Sequence, residues 1–192
     1  MQGLMMQTPL LISSLLEHAD RHHGGTEIVS RTVEGGLHRT TYRELHRRTR
    51  QLANALAALG IAESDRVATL AWNGYRHMEI YFAASGAGSV LHTINPRLHA
   101  EQIAWIVNHA EDRVLFFDLT FLPLVEAIAP HCKGVRQWIA MTDRAHMPSS
   151  EALNLMCYED LLGAQPDRYT WPQFDENTAS SLCYTSGTTG NP

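Results

Sequence analysis

Six consecutive residues near the carboxyl end of the chain are suited to binding phosphate: Thr185, Ser186, Gly187, Thr188, Thr189 and Gly190. They follow the largely apolar run 181–184, which predicts a strand that leads directly into a loop. Glycine adopts positive φ without penalty, so successive backbone N–H groups can turn inward and surround an anion. The hydroxyl groups add donors for phosphate oxygens and a neutral oxygen ligand for Mg²⁺.

The same composition is also typical of a polar turn, because Ser, Thr and Gly are ordinary turn residues. The segment is not a Walker A loop, which has the pattern G-x-x-x-x-G-K-[ST]. Gly187 and Gly190 have a different spacing, and no Lys lies between them or beside them. Composition alone therefore leaves both a phosphate site and a simple turn open.

Two further groups of residues could bind a ligand, and each has a structural alternative. Arg97 could support a substrate anion, but 95–96 is Asn-Pro, which predicts a turn because the residue before Pro is pushed out of the α region. His18 and His22 lie four apart on a predicted helix. A zinc site needs further ligands and the pattern H-E-x-x-H is absent, so we expect exposed histidines there.

Three residues near the loop or the predicted strands are expected to be structural. Packing and hydrogen bonding are sufficient explanations for His92 and His109. Cys183 is expected to be a buried strand residue, because nothing in the sequence makes it a nucleophile. No Ser-His-Asp set or carboxylate pair can be assigned, which is consistent with a reaction that depends on positioning and charge neutralisation.

The composition predicts one acidic domain. The chain has 192 residues, of which 44% are hydrophobic, and this is enough for one sizeable core. Its net charge of −5 argues against nucleic acid as the main partner.

The basic run Arg43, Arg47, Arg48 and Arg50 is expected to be the solvated face of a helix. Three separated cysteines without C-x-x-C predict reduced thiols in the cytoplasm. No stretch predicts an integral membrane segment.

Helix-like and strand-like segments alternate along the chain. Thr41 and Glu44 form the S/T-x-x-E pattern that begins a helix, and Gly60 is expected to end it. The other predicted helices are 10–22, 75–85, 100–109, 121–129 and 152–162; the predicted strands are a hairpin of 27–32 with 37–40, then 66–72, 89–94, 114–117, 135–141 and 181–184. The alternation predicts an α/β fold with a mostly parallel, doubly wound sheet.

In such sheets ligands bind outside the carboxyl ends of the strands. The segments 72–74, 92–97 and 185–190 each follow or end a predicted strand. They can form one site only if their three strands lie close together in the sheet, which is a specific structural expectation.

Several segments resemble a known family. Residues 184–192 read Tyr-Thr-Ser-Gly-Thr-Thr-Gly-Asn-Pro, which resembles the phosphate-binding loop of AMP-forming acyl-CoA synthetases in the adenylate-forming superfamily. Segments 65–68, 91–98 and 106–112 resemble medium- and long-chain fatty acyl-CoA synthetases, including the bacterial branch of methylthiopropionate–CoA ligases. The resemblance extends from about residue 11 to residue 192.

The resemblance implies an enzyme that joins a fatty or other small carboxylic acid to ATP and then transfers the acyl group to CoA. The loop 185–190 would bind the ATP phosphates, and Thr185 would also contact Mg²⁺. In the family Lys-Gly follows the Pro, so the sequence is expected to stop inside the motif. The adenine pocket, an acidic metal ligand and the catalytic Lys are expected downstream. No catalytic residue is therefore assigned here, and residues 1–192 alone are expected to be inactive.

The resemblance also implies a domain organisation. Residues 25–192 would be an incomplete α/β part of a large N-terminal domain. Residues 1–24 would be an N-terminal helix and a candidate homodimer arm, since some related long-chain enzymes dimerise through this region. Aryl-acid activation and amino-acid adenylation for a carrier protein remain alternatives, as does a non-enzymatic nucleotide-binding or dimerisation module.

Overall fold

The computed structural model describes residues 3–185. Single turns of 3-10 helix precede and follow α5, and another follows β6. In chain order the helices and strands are α1 Ile12–His23, β1 Glu27–Arg31, β2 Leu37–Thr41, α2 Tyr42–Ala58, β3 Arg66–Leu70, α3 Tyr75–Gly86, β4 Val90–Thr93, α4 Ala100–His109, β5 Asp112–Phe117, α5 Leu122–Ile128, β6 Gln137–Ala140, β7 Leu155–Cys157, α6 Tyr158–Gly163 and β8 Ser181–Leu182.

Six strands form a parallel sheet in the order β7-β6-β5-β3-β4-β8. Successive side chains of a strand point to opposite faces, so the sheet has two cores. On β3, Val67 packs with Leu52 of α2 and Ile80 of α3, whereas Ala68 belongs to the cluster that contains Ile103 of α4. Helices therefore cover both faces, which confirms the predicted doubly wound α/β fold.

The long helix α2 begins and ends where the sequence predicts. The Thr41 hydroxyl accepts a hydrogen bond from the Glu44 N–H at 3.4 Å, which satisfies one of the free donors at the helix start. The Glu44 carboxylate bonds to Arg47. Gly60 follows the helix with φ of 75°, a conformation that favours glycine.

The hairpin of β1 and β2 is also confirmed, and it lies outside the main sheet. Gly35 and Gly36 have φ of 101° and 90°, which lets the chain reverse between the strands. The turn brings Glu34 to Arg76 at the start of α3, with 2.6 Å between carboxylate and guanidinium. The hairpin is thereby tied to the carboxyl edge of the sheet.

The prediction of a helix over 152–162 was wrong in its first half. Leu155–Cys157 is a strand that pairs in parallel with β6, and only Tyr158–Gly163 is helical. The Cys157 thiol donates to the Thr142 carbonyl at 3.3 Å. Pairing with the free edge of β6 satisfies the backbone of this segment, and no local pattern signals it.

The prediction that the basic run on α2 is a solvated face was wrong at Arg48. Arg43 is exposed, but the Arg48 side chain is only 15% exposed and contacts Glu79 and Glu159. The fully buried Glu79 carboxylate needs a charged partner, because burying it alone is costly.

Within residues 3–185, no helix has both the length and the apolar character needed to cross a membrane.

Candidate functional site

The three strands that precede the predicted ligand loops are neighbours, in the order β3-β4-β8. His92 of β4 pairs with Ala68 of β3 on one side and with Leu182 of β8 on the other. All three strands are parallel, so the segments that follow them open at one edge of the sheet. The strand order therefore meets the condition under which 72–74, 92–97 and the start of 185–190 can form one site.

Only the first residue of the predicted phosphate loop lies within the described residues. Thr185 is exposed and follows β8 after two intervening residues. Ser186, Gly187, Thr188, Thr189 and Gly190 lie outside the described residues, so their assignment to phosphate stays a prediction.

The residue before Thr185 contacts helix α4. The Tyr184 hydroxyl lies 2.5 Å from His109 Nδ1 at the end of α4. The His109 ring stacks on Trp105, with ring centroids 4.6 Å apart and an interplanar angle of 15°. Hydrogen bonding was expected for His109, but its partner was not, because Tyr184 is 75 residues away in the chain.

The buried side chains of His92 and Asp112 form a hydrogen-bonded pair close to Tyr184. His92 Nδ1 is 2.8 Å from Asp112 Oδ2, and both side chains are fully buried. The Tyr184 ring is 5.2 Å from the His92 ring between centroids. Burial raises the pKa of Asp112, against the lowering effect of the hydrogen bond to His92. The structural role expected for His92 is thus confirmed.

A second carboxylate, Asp118, stands at the carboxyl edge directly after β5. It accepts a hydrogen bond from the Trp72 N–H at 2.6 Å and so holds the loop that follows β3. Burial raises the pKa of Asp118 to about 6, although the Trp72 N–H lowers it. Sequence reasoning missed this residue. The available signal was a carboxylate immediately after a buried apolar strand.

A groove of about 540 Å³ opens beside the loop that follows β3. Most of its wall is aromatic or apolar, from Tyr75, Met78, Tyr81 and Phe82 of α3. Thr93 at the end of β4 closes one side. Thr93 is the last residue of β4, and β4 is the neighbour of β8 in the sheet.

Three residues in the segments that end or follow β4 and β8 can be compared with the sequence predictions. Asn95 Oδ1 accepts a hydrogen bond from the Arg97 N–H at 3.0 Å, which confirms the predicted turn. The Arg97 side chain is exposed and has no ion pair within residues 3–185. Cys183 was wrongly predicted to be buried: it is exposed, because β8 ends at Leu182.

His18 and His22 of α1 contact each other, whereas Asp20, which lies between them in the sequence, contacts α2. The rings of His18 and His22 lie 4.5 Å apart between centroids. The nearby Asp20 carboxylate is bound by His46 at 2.8 Å. In the described part of the chain, no group of three or more His, Cys, Asp or Glu side chains is arranged to hold a metal ion.

Comparison with known proteins gives matches along the whole chain. The chain is 54% identical over 192 residues to the 3-methylmercaptopropionyl-CoA ligase of Ruegeria lacuscaerulensis and covers 36% of it. It is 50% identical over 192 residues to the medium-chain-fatty-acid–CoA ligase of Ectopseudomonas oleovorans, covering 35%. With the long-chain-fatty-acid–CoA ligase of Thermus thermophilus it shares 46% over 188 residues, or 98% of this chain and 33% of that protein. The chain thus spans about a third of the length of these relatives.

Solved structures share the fold at low sequence identity. The anthranilate CoA ligase AuaEII in complex with anthranoyl-AMP matches 100% of this chain and 35% of its own, with a TM-score of 0.84 and 22% identity. The inhibitor-bound N-terminal domain of FACL13 from Mycobacterium tuberculosis matches 95% of this chain and 42% of its own, with a TM-score of 0.75 and 23% identity. The family model described as AMP-binding enzyme matches residues 15–192. The chain therefore belongs to the AMP-binding enzyme family.

Proposed function

We propose that the full-length protein is an AMP-forming ligase that couples a fatty or other aliphatic carboxylic acid to CoA. The observation that carries this proposal is the Thr-Ser-Gly-Thr-Thr-Gly sequence at 185–190, placed after a strand that neighbours β4 at the carboxyl edge of the sheet. The relatives named above are ligases of fatty acids and of 3-methylmercaptopropionate. Their names favour an aliphatic acid over an aryl acid or an amino acid.

The proposed reaction has two steps. A carboxylate oxygen of the acid attacks the α-phosphorus of ATP, and pyrophosphate leaves. The CoA thiol then gives its proton to solvent and attacks the acyl carbon, and AMP leaves with the oxygen that came from the acid. Neither step needs a covalent bond to the protein, so the protein contributes by positioning reactants and neutralising charge.

In this proposal Thr185, Ser186, Gly187, Thr188, Thr189 and Gly190 bind the ATP phosphates through hydroxyl and backbone N–H donors. Thr185 is suited to a Mg²⁺ site, because it is an exposed residue with a neutral hydroxyl oxygen and Mg²⁺ prefers oxygen ligands shared between protein, water and phosphates. When bound, Mg²⁺ would neutralise part of the phosphate charge.

We further propose that residues 25–192 form part of the nucleotide-binding domain and that residues 1–24 act as a homodimer arm. Leu4, Met5, Met6, Leu10 and Leu15 are all exposed, which is an unusual density of bare apolar side chains. Light scattering should find a dimer of the full-length protein and a monomer after Met5→Glu with Met6→Glu. An unchanged molar mass in that variant would contradict the arm.

The cysteines support a reducing compartment, and we propose the cytoplasm. Cys132, Cys157 and Cys183 are all free thiols. Reduced thiols persist in the cytoplasm, whereas oxidising compartments favour disulfides. Fractionation of cells that express the tagged full-length protein tests this location.

Carboxylate-dependent exchange of labelled pyrophosphate into ATP tests the proposed activity. The full-length protein should be assayed with short, medium and long fatty acids, 3-methylmercaptopropionate and benzoate. We expect exchange that requires an aliphatic acid. Exchange with benzoate alone would support aryl-acid activation, and exchange with none of these acids would support a binding module.

A further inference from the structure

We propose that Tyr184 is a positioning residue for ATP: its hydrogen bond to His109 fixes the chain at the point where β8 ends and Thr185 begins. The inference deepens the proposed function and rests on it for the statement that the loop binds ATP. The mechanical part, anchoring of this segment on α4, stands on contacts within the described residues.

In the described part of the chain, the backbone pairing that precedes the loop is short. There, β8 has two residues and pairs with β4, through Leu91 with Ser181 and His92 with Leu182. Beyond Leu182 the chain leaves the sheet, and both Cys183 and Thr185 are exposed. Tyr184, which lies between them, is partly buried. Its side chain is therefore one contact that ties the chain just before the loop to the fold.

The partner of Tyr184 is itself held in place. His109 closes α4, and its ring stacks on Trp105 in the preceding turn. The Tyr184 ring meets the His109 ring edge-on, at 82°, which directs its hydroxyl at Nδ1 with a separation of 2.5 Å. An imidazole nitrogen can accept from a phenol or donate to it, so the bond can form with either neutral tautomer.

The Tyr184 ring also contacts a buried, hydrogen-bonded pair. His92 and Asp112 are fully buried and hydrogen bonded to each other at 2.8 Å, and the His92 ring centroid is 5.2 Å from that of Tyr184. Asp112 orients the His92 ring, so Tyr184 packs against a buried, hydrogen-bonded side chain. The hydroxyl bond to His109 and the contact with the His92 ring together hold Tyr184 between α4 and β4.

A loop that is anchored in this way has the same conformation when it binds ATP and when it binds the transition state. Loss of the anchor weakens both states equally, so the KM for ATP rises while kcat stays nearly constant. Loss of a residue that only stabilises the fold would instead lower the melting temperature without a specific change in the KM for ATP.

The test compares four variants of the full-length protein. Tyr184→Phe removes only the hydroxyl, and His109→Leu removes its partner. His109→Asn is the rescue variant, because the Asn side chain can place a polar atom near the position of Nδ1. Tyr169→Phe is the matched control: Tyr169 packs on Trp171 on the opposite face of the sheet, and its hydroxyl has no hydrogen bond within residues 3–185.

We expect Tyr184→Phe and His109→Leu to raise the KM for ATP about fivefold. This change corresponds to a loss of about 1 kcal/mol in the free energy of ATP binding. His109→Asn should recover most of the wild-type value, and Tyr169→Phe should match wild type. A KM for ATP within 1.5-fold of wild type in both Tyr184→Phe and His109→Leu would overturn the inference. A fall in kcat that follows the melting temperature, with KM unchanged, would also overturn it.

A second measurement needs no activity. Hydrogen exchange of the amides at 183–185 should be about fivefold faster in Tyr184→Phe than in wild type or Tyr169→Phe. Equal exchange in all three proteins would overturn the anchor even if the protein is a ligase. Absence of pyrophosphate exchange in the wild type, with faster hydrogen exchange in Tyr184→Phe, would instead reject the proposed function and keep the anchor.

Discussion

The Arg48 guanidinium on α2 lies 2.6 Å from the carboxylate of Glu79 on α3, and the Glu79 side chain is fully buried. Glu159 of α6 contacts the same guanidinium at 2.9 Å. Burial opposes the charge of Arg48, but Glu79 and Glu159 outweigh it and raise its pKa. One arginine therefore joins the three helices that cover one face of the sheet.

Replacing Arg48 should be far more destabilising than replacing its neighbour on the same helix. Arg48→Met leaves the buried Glu79 without its cation, and such losses cost about 3–5 kcal/mol. Arg47→Met is the control, because Arg47 and Glu44 are 37% and 44% exposed and such pairs contribute about 1 kcal/mol or less. Urea denaturation measures both free energies of unfolding. Equal losses would contradict the buried network.

Gly86→Ala should destabilise the protein because no room exists for a methyl group. A Cβ at Gly86 would lie 2.8 Å from Cζ3 of Trp171. Trp171 is buried, and its indole N–H donates to His46 Nε2 at 3.3 Å, so it cannot move freely. We expect a loss of about 1–3 kcal/mol in the free energy of unfolding.

Gly163→Ala is the matched control for this substitution. Gly163 also ends a helix, but a Cβ there would meet nothing within 4 Å. Thermal unfolding should leave Gly163→Ala at or slightly above the wild-type midpoint and place Gly86→Ala clearly below it. A Gly86→Ala midpoint equal to that of the control would mean that Trp171 has space to yield.

Asp118 should make stability depend on pH. Its folded pKa is raised to about 6, so between about pH 4 and 6 the folded protein binds a proton that the unfolded chain does not. The free energy of unfolding therefore falls as pH rises through this window, by about 3 kcal/mol for a pKa change of this size. Asp118→Asn should lose that fall and be more stable than wild type at pH 7. Parallel pH profiles of the two proteins would contradict the assignment.

Two threonines of the loop should be needed for adenylate formation. In the full-length protein, Thr185→Ala or Thr188→Ala should lower pyrophosphate exchange at least about tenfold, since a lost contact to developing charge costs over about 1.4 kcal/mol. Thr178→Ala, on the connection before β8, is the control and should stay near wild type. Loop variants that retain activity within twofold would remove the loop from the site.

Local sequence patterns predicted the elements that are governed by local physics. The bounds of α4, Ala100–His109, match the prediction, and α3 begins at Tyr75 as expected. The alternation of these elements gave the parallel sheet. Strand order was not predicted, because neighbours in a sheet are chosen by packing of whole helices. That order is what places β8 beside β4.

The failures occurred where the partner lies far away in sequence. Leu155–Cys157 is a strand because β6 offers an unpaired edge, and its own residues lack β-branched side chains. Arg48 looked solvated because Glu79 and Glu159 are 31 and 111 residues away. The bond between Tyr184 and His109 was missed for the same reason.

The fate of one oxygen atom tests the central claim most directly. The full-length protein should be incubated with ATP, CoA and a medium-chain fatty acid that carries ¹⁸O in its carboxylate, and the nucleotide product should be analysed by mass spectrometry. Attack of the carboxylate on the α-phosphorus, followed by thiol transfer, predicts AMP that contains one ¹⁸O atom. Acyl-CoA formed with unlabelled AMP, or with ADP and labelled phosphate, would contradict an AMP-forming ligase.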